Sequence, residues 1–342
     1  MISVALCTFN GEKFIAQQLQ SIVNQTIMPD EIIVCDDCSK DRTVNIIRET
    51  LKDYNGHWQF VCNQENLGYK KNFEKAIGLC QGDIIFLSDQ DDVWHPHKIE
   101  LMNSIFLANP DVALVFHDAE VVNENLRLLN KSFWELLHFN YQDFLCGNYS
   151  RLFEGNVIQG AACAFRKAVY RESLPFFERA IHDEWLALNA VNTGVIYPLP
   201  EALLKYRQTG SNEIGSGRTE NIWEKSKKWK KSKKWKKSYK VLLIDSFKEI
   251  IRKKDIWTEL VKRFHDNGSM GKVSNREYLT FLERRIGGIV EANSWKLPSP
   301  HSYIYVYDNV RLGIKAFVKD CLCILFLSKR SIIEIVNEVQ NI

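Results

Sequence analysis

Three carboxylates fall within four residues in Asp89-Gln90-Asp91-Asp92, directly after the uncharged run Ile84-Ile85-Phe86-Leu87-Ser88. Packed into a crevice, such groups repel one another unless a cation or hydrogen-bond donors compensate. A hard divalent ion, Mg²⁺ or Mn²⁺, typically takes one or two carboxylates and leaves positions for substrate phosphates. It would neutralise a diphosphate in an otherwise acidic cleft. A solvated acidic turn is the other reading of the same residues. A second acidic pair, Asp36-Asp37, ends the apolar run Ile32–Cys35. A carboxylate there can accept from a pyrimidine imide N–H or from ribose hydroxyls. Equally, Asp37 or Ser39 can cap the helix that follows. No G-x-G-x-x-G follows the first apolar run, where Gly11 stands alone, and no G-x-x-x-x-G-K-[S/T] occurs. A phosphate here is therefore not held mainly by a glycine loop.

These residues need a scaffold that brings them together. Short β-rich runs at 2–8, 31–36, 58–63, 84–88 and 113–117 alternate with helical patterns at 14–24, 41–54, 69–77 and 96–108. Ser39-Lys40-Asp41 and Pro96 mark two of the helix starts. That alternation predicts an α/β domain with a doubly wound, mainly parallel sheet. In such sheets ligands bind beyond the C-terminal strand ends. Thr8-Phe9-Asn10-Gly11, Asp36-Asp37 and Asp89–Asp92 then face one crevice.

Charge divides the 342-residue chain. Residues 1–215 carry 18 Lys and Arg against 28 Asp and Glu, a net of −10; residues 216–342 carry 27 against 14, a net of +13. With the hinge-like Gly215-Ser216-Gly217, the split predicts a domain over 1–215 and a basic, mostly helical region over 216–342. The first residues lack a basic n-region and turn polar at Thr8, unlike a signal peptide. No run approaches the ~20 apolar residues of a membrane span. A cytosolic location is expected, with the nine cysteines as reduced thiols; those of Cys35-x-x-Cys38 are read as packed around a functional turn, with a redox pair or half a zinc site as the alternatives. Within 225–240, ten lysines without an acid interleave with Trp229 and Trp235. Six steps at ~100° per residue set successive tryptophans about 120° apart, so no single apolar stripe forms. Lysine with tryptophan suits an anionic membrane surface. A solvated or partner-binding helix is the alternative, and nucleic acid is less favoured.

Together the motifs resemble the family-two inverting glycosyltransferases of GT-A fold. Val4–Gly11 looks like their first strand and nucleotide loop, and Ile32–Thr43 is similar to V-D-D-x-S-x-D-x-T. Asn63–Gly68 resembles the third strand and loop, and Phe86–Trp94 the Asp-x-Asp segment. S-D-Q-D-D-V-W looks like the branch of rhamnosyltransferases of bacterial surface polysaccharides. The resemblance covers about residues 1–212 and implies roles. Thr8, Phe9, Asn10 and Asp37 would hold the nucleotide. Asp89 would lie near ribose and metal, and Asp91 would ligate Mg²⁺ or Mn²⁺. Gly160, in Asn156–Arg166, would lie beside the donor sugar.

Sugar transfer also needs a base for the acceptor hydroxyl. By the same likeness, Ile181-His182-Asp183-Glu184-Trp185 offers Asp183 as base, with Glu184, Trp185 and Trp94 toward the acceptor. Asp183 and Glu184 also suit a helix N-terminus without any chemistry. Relatives often carry a histidine that can approach the metal where this chain has Thr209; Arg207 nearby could contact phosphate or be a surface arginine. The implied partners are a nucleotide-sugar donor, such as a deoxythymidine diphosphate rhamnose or a uridine diphosphate hexose, and a glycan or lipid-linked acceptor. The implied place is the inner face of the plasma membrane. A binding protein without catalysis is the rival reading.

Overall fold

The computed structural model describes residues 1–209, 235–264, 273–291 and 297–307, with isolated positions between 313 and 321. The nine strands are β1 Ile2–Thr8, β2 Glu31–Asp36, β3 His57–Cys62, β4 Ile84–Ser88, β5 Val93–Trp94, β6 Val112–Asn123, β7 Leu128–Asn130, β8 Cys163–Arg166 and β9 Val195–Gln208. They form one sheet in the order β3-β2-β1-β4-β8-β6-β9-β5, with β7 added beside β6. β1 is buried at every residue because β2 and β4 flank it in parallel and helices cover the sheet. This explains its unbroken apolar run, whereas β3 takes the outer position and its residues are exposed or half-buried. β3, β2, β1 and β4 are parallel; beyond β4 the sheet is mixed, with β8 antiparallel to both β4 and β6.

The antiparallel turn of β8 matters for the site. Phe86 pairs with Ala164, so the residues just before β8 lie beyond the C-terminal end of β4. The turn Gly160–Ala162 therefore meets the acidic loop 89–92. No local pattern announces that meeting.

The helices are α1 Ile15–Val23, α2 Thr43–Leu51, α3 Tyr69–Leu79, α4 Lys98–Ala108, α5 Phe133–Leu136, α6 Tyr141–Leu145, α7 Arg151–Glu154, α8 Lys167–Ser173 and α9 His182–Thr193. After these come α10 Trp235–Phe264, α11 Asn275–Val290 and α12 Pro300–Tyr307. α2 begins two residues later than its pattern predicts. The Asp41 carboxylate, rather than Asp37 or Ser39, takes the Thr43 N–H (3.0 Å) and so stays outside the helix. The core of the sheet domain joins Val4, Leu6, Ile15, Leu19, Ile32, Val34, Phe86 and Ile99.

The chain divides into two compact units, one of 1–147 with 156–215 and one of 148–155 with 216–342. The short insert 148–155 thus leaves the first unit, a departure from a simple boundary at 215. It leaves because Phe153 packs against Trp257 and Tyr278, while its carbonyl accepts from Lys253 Nζ (2.6 Å) and Tyr278 Oη (2.8 Å). In the same unit, Arg285 pairs with buried Asp320 (2.7 Å), which also accepts from Tyr303. Much of the lysine–tryptophan run, 225–234, and most of the helical expectation for 312–337 lie outside the described residues.

Phe86 is fully buried at the centre of the sheet. Phe86→Ala is expected to lower folding stability by about 3–5 kcal/mol, read as a shift of the urea midpoint.

Candidate active site

The three strand-end loops are tied to one another by side chains. Thr8 Oγ1 donates to Asp36 Oδ2 (2.7 Å), and Ser39 Oγ donates to the same oxygen (2.6 Å). Asn10, at φ 49°, donates its N–H to Ser39 Oγ (2.8 Å) and accepts from the Lys40 N–H (2.9 Å). The Phe9 peptide is clasped on both sides by the Gln90 amide (2.8 and 3.0 Å), which leaves the Phe9 ring 46% exposed at the crevice. Gly11 is required by that clasp: a Cβ there would lie 2.2 Å from Gln90 Oε1. Gln90 was missed at the sequence level because a glutamine between aspartates carries no signal until its partner loop is known.

Asp37 is committed to structure. It accepts from Asn63 Nδ2 (2.8 Å) and from the N–H groups of Leu67 (2.8 Å) and Gly68 (2.9 Å). It shapes the loop after β3 more than it faces a ligand; three donors leave its carboxylate at most one open acceptor position.

The acidic loop is short of positive charge. Burial pushes the Asp89 carboxyl up to about 7, with the charges of Asp91 and Asp183 adding to the shift and Lys98 opposing it. Burial also raises Asp91, against the pull of Arg207. Asp92 is enclosed and raised well above the usual range by burial and its two neighbours. Its Oδ1 accepts the Arg207 N–H (3.0 Å), whereas Oδ2 is buried without a hydrogen-bond partner. The donor set of Asp89 and Asp91 is all oxygen and partly exposed, which suits a hard divalent ion. Among the described residues no group of three His, Cys, Asp or Glu comes together as a ready-made cage. An ion here would complete its shell with diphosphate and water, as Mg²⁺ and Mn²⁺ commonly do.

Across the crevice, Asp183 stands in the first turn of α9. Its Oδ1 accepts the Glu184 N–H (2.7 Å) and its Oδ2 the Gly160 N–H (3.0 Å). Those bonds favour the carboxylate, but burial outweighs them and lifts the carboxyl to about 7. Gly160 approaches closely, since a Cβ there would lie 2.8 Å from His182 Nε2. His182 stacks on Phe73 (4.1 Å), and burial lowers it to about 3, so its ring is neutral.

Four expectations need correction. Trp185 is fully buried; it donates from Nε1 to the Ser173 carbonyl (2.7 Å) and packs on Phe177 instead of lining an acceptor site. Trp94 is enclosed beneath Lys98, whose Nζ lies 3.8 Å from the ring centre. Glu184 is buried and turns back to the Ile181 N–H (3.4 Å), closing the start of α9. Arg207 is neither a surface arginine nor free for phosphate. It is 2% exposed and spends its guanidinium on the Asp91 carbonyl (2.6 Å), the Glu124 carbonyl and Gln17 Oε1 (2.6 Å). Two reasons apply: Arg207 and Trp94 are drawn in around the acidic loop, whereas Trp185 and Glu184 are drawn in to pack and close the start of α9.

Lys98, like Gln90, carries no signal in the sequence. It looks like an ordinary helix-start lysine, yet it is fully buried, donates to the Ala161 carbonyl, and is pushed down to about 7 by burial. It joins the loop after β4 to the turn that holds Asp183.

The sequence profile of glycosyl transferase family 2 matches residues 3–174. An uncharacterized glycosyltransferase of Haemophilus influenzae is 27% identical over 241 residues, 67% of this chain and 71% of its own length. One from Methanocaldococcus jannaschii is 26% identical over 215 residues, 60% and 70% of the two chains. An uncharacterized protein of Mycobacterium tuberculosis is 26% identical over 227 residues, of which this chain covers 64%. Among solved structures, Staphylococcus aureus TarS 1-349 in complex with UDP-GlcNAc superposes with a TM-score of 0.52 at 18% identity, covering 98% of this chain and 91% of that one. The mannosyltransferase PcManGT from Pyrobaculum calidifontis, in complex with GDP-Man and Mn²⁺, gives 0.51 at 15% identity, covering 99% and 86%. At those identities the likeness is one of fold. With the profile spanning half of the chain, over the strands and loops that build the crevice, this chain belongs to glycosyl transferase family 2 and is a glycosyltransferase.

Proposed function

We propose that the crevice performs a single-displacement, inverting transfer of a sugar from a nucleoside diphosphate to an acceptor hydroxyl, with Asp183 as general base. The observation that carries this is the Asp183 carboxylate. It is oriented by two backbone N–H groups, raised to about 7, and its charge is felt by Asp89 of the acidic loop. A base poised near the working pH is the most effective. Asp183 takes the acceptor proton while the acceptor oxygen bonds to the anomeric carbon. The bond from that carbon to the diphosphate breaks, and the nucleoside diphosphate leaves with the electron pair. Asp89 and Asp91 would hold a divalent ion, Mg²⁺ or Mn²⁺, which when bound supplies positive charge to the departing diphosphate. The exposed Phe9 ring and the Thr8–Asn10 loop form the nucleotide side. Gly160 leaves the sugar side open near Asp183.

The S-D-Q-D-D-V-W likeness favours a deoxythymidine diphosphate rhamnose donor. The uridine diphosphate hexose reading stays beside it, because the fold neighbour TarS was captured with UDP-GlcNAc. The acceptor reading is a glycan or lipid-linked acceptor at the inner face of the plasma membrane, approached through the basic run. That run lies largely outside the described residues, and among the described residues no helix is long and apolar enough to cross a membrane. Ten lysines in 225–240, each contributing about 1 kcal/mol near an anionic surface, support peripheral attachment.

Three results are expected. Transfer should rise with pH through a limb near 7, because Asp183 must be ionised, and Asp183→Asn should cost about 10²–10⁴-fold in rate with nucleotide binding retained. Burial raises the folded pKa above the unfolded value of about 3.9, so ionising Asp183 costs stability as pH climbs from that value to about 7. The urea-midpoint difference, Asn variant minus wild type, should therefore be larger at pH 8 than at pH 5. Second, screening nucleotide sugars with Mg²⁺ or Mn²⁺ should show diphosphate release for one donor class. Asp91→Asn should weaken metal-assisted nucleotide binding at least about tenfold; unchanged metal dependence would sink the metal assignment. Third, the full chain should float with anionic liposomes, and replacing the ten lysines with glutamine should abolish flotation.

A further inference from the structure

The C-x-x-C spacing invites a pairing of Cys35 with Cys38 that the fold denies. Cys35 is fully buried within β2, and burial pushes its thiol up to about 11. Cys38 lies past the strand end at φ 69°, half-exposed. The strand register sets a different cysteine beside Asp36, two residues before Cys38. β2 and β3 are neighbours with Asp36 opposite Cys62, and Cys62 is exposed.

The segments that follow converge on one carboxylate oxygen. Asp36 Oδ1 takes the Ser39 N–H at 2.8 Å and the Cys62 thiol at 3.8 Å. From the other side, Cys38 Sγ reaches to 4.0 Å from the Gln64 carbonyl, just beyond Cys62 on the partner segment. Lys40 Nζ stands 3.2 Å from Cys38 Sγ; burial and the Asp36 carboxylate raise the Cys62 thiol, with the charge of Lys40 opposing them. Cys62 lies about 4.8 Å across the strand pair from Asp36, two residues before Cys38, and the two thiols are near enough that the charge of Cys38 acts on Cys62. A thiol beside an ammonium is the kind that oxidises first. The other thiols nearby, Cys7 and Cys80, are buried and held protonated.

We propose that Cys38 and Cys62 form an oxidisable dithiol at the rim of the nucleotide crevice, closed to a disulfide by a hydroperoxide. The Cys38 thiolate attacks the terminal peroxide oxygen; the O–O bond breaks, an alcohol (or water) leaves, and Cys38 becomes a sulfenic acid. The Cys62 thiolate then attacks that sulfur. The S–O bond breaks, hydroxide leaves as water after taking a proton, and the S–S bond forms. Two thiols are oxidised and one peroxide is reduced. The bond would draw the 38–40 turn toward β3. That turn holds Asn10 through Ser39 Oγ and the Lys40 N–H, so the oxidised chain binds a nucleoside diphosphate more weakly. This consequence rests on the nucleotide-site reading; the pairing itself does not.

The test uses the full chain, treated with hydrogen peroxide and digested without reductant. Mass spectrometry should find a peptide pair joined through Cys38 and Cys62, absent in Cys62→Ser and removed by dithiothreitol. UDP affinity by calorimetry should drop several-fold on oxidation and return on reduction. Cys62→Ser should keep the affinity of the reduced wild type and lose the response to peroxide. Oxidation of either thiol without the cross-link overturns the proposal, as does Cys38 bonded to any other cysteine. If the reduced chain binds neither dTDP nor UDP while the cross-link forms, the nucleotide-site reading fails and the dithiol stands.

Discussion

Carboxylates gathered at the ends of parallel strands repel, and removing them from water makes the repulsion worse. Much of the first unit can be read as an answer to that constraint. Asp36 accepts hydrogen bonds from the hydroxyls of Thr8 and Ser39, and Asp37 from an amide and two backbone N–H groups. Asp92 is met by the Arg207 N–H, while Lys98 and Arg207 bring the two buried cations. Asp89, Asp91, Asp92 and Asp183 are left under-compensated, and all four are raised. The deficit falls at the strand ends where the proposed cation and diphosphate would bind.

The same bonds that offset charge also set geometry. Gln90 binds the acidic loop to the first loop, Asn10 binds the first loop to the second, and Lys98 links the start of α4 to the turn before β8. A rigid crevice follows, because each loop is held by a neighbour instead of by its own turn. Side chains with large apolar bodies, Trp94 and Trp185, serve as the backing of that crevice. This leaves Phe9 as the aromatic ring at its open side. The second unit solves a separate problem with a separate core around Phe153, Trp257 and Tyr278.

Much of this was legible in the sequence, and for a local reason. Buried parallel strands need unbroken β-branched runs, so 2–8, 31–36 and 84–88 matched β1, β2 and β4 to the residue. The acidic residues that follow those runs had to share one edge of the sheet. The gathering of those acidic residues at one sheet edge and the chain's link to a family were therefore determined by residue order alone. Side-chain direction was not. Arg207, Glu184, Trp94, Trp185 and Lys98 are amphipathic or polar groups whose roles depend on partners far away in sequence. Arg207 meets Asp91 and Gln17, and Lys98 meets Ala161. Nor could the spacing of Cys35 and Cys38 reveal that Cys62 comes beside Asp36 at the end of β2, since strand register decides it. Periodicity sets which elements form because it is a property of neighbouring residues. Tertiary structure decided which charges are answered and which remain, because that depends on non-local burial and on which donors the fold delivers to each carboxylate.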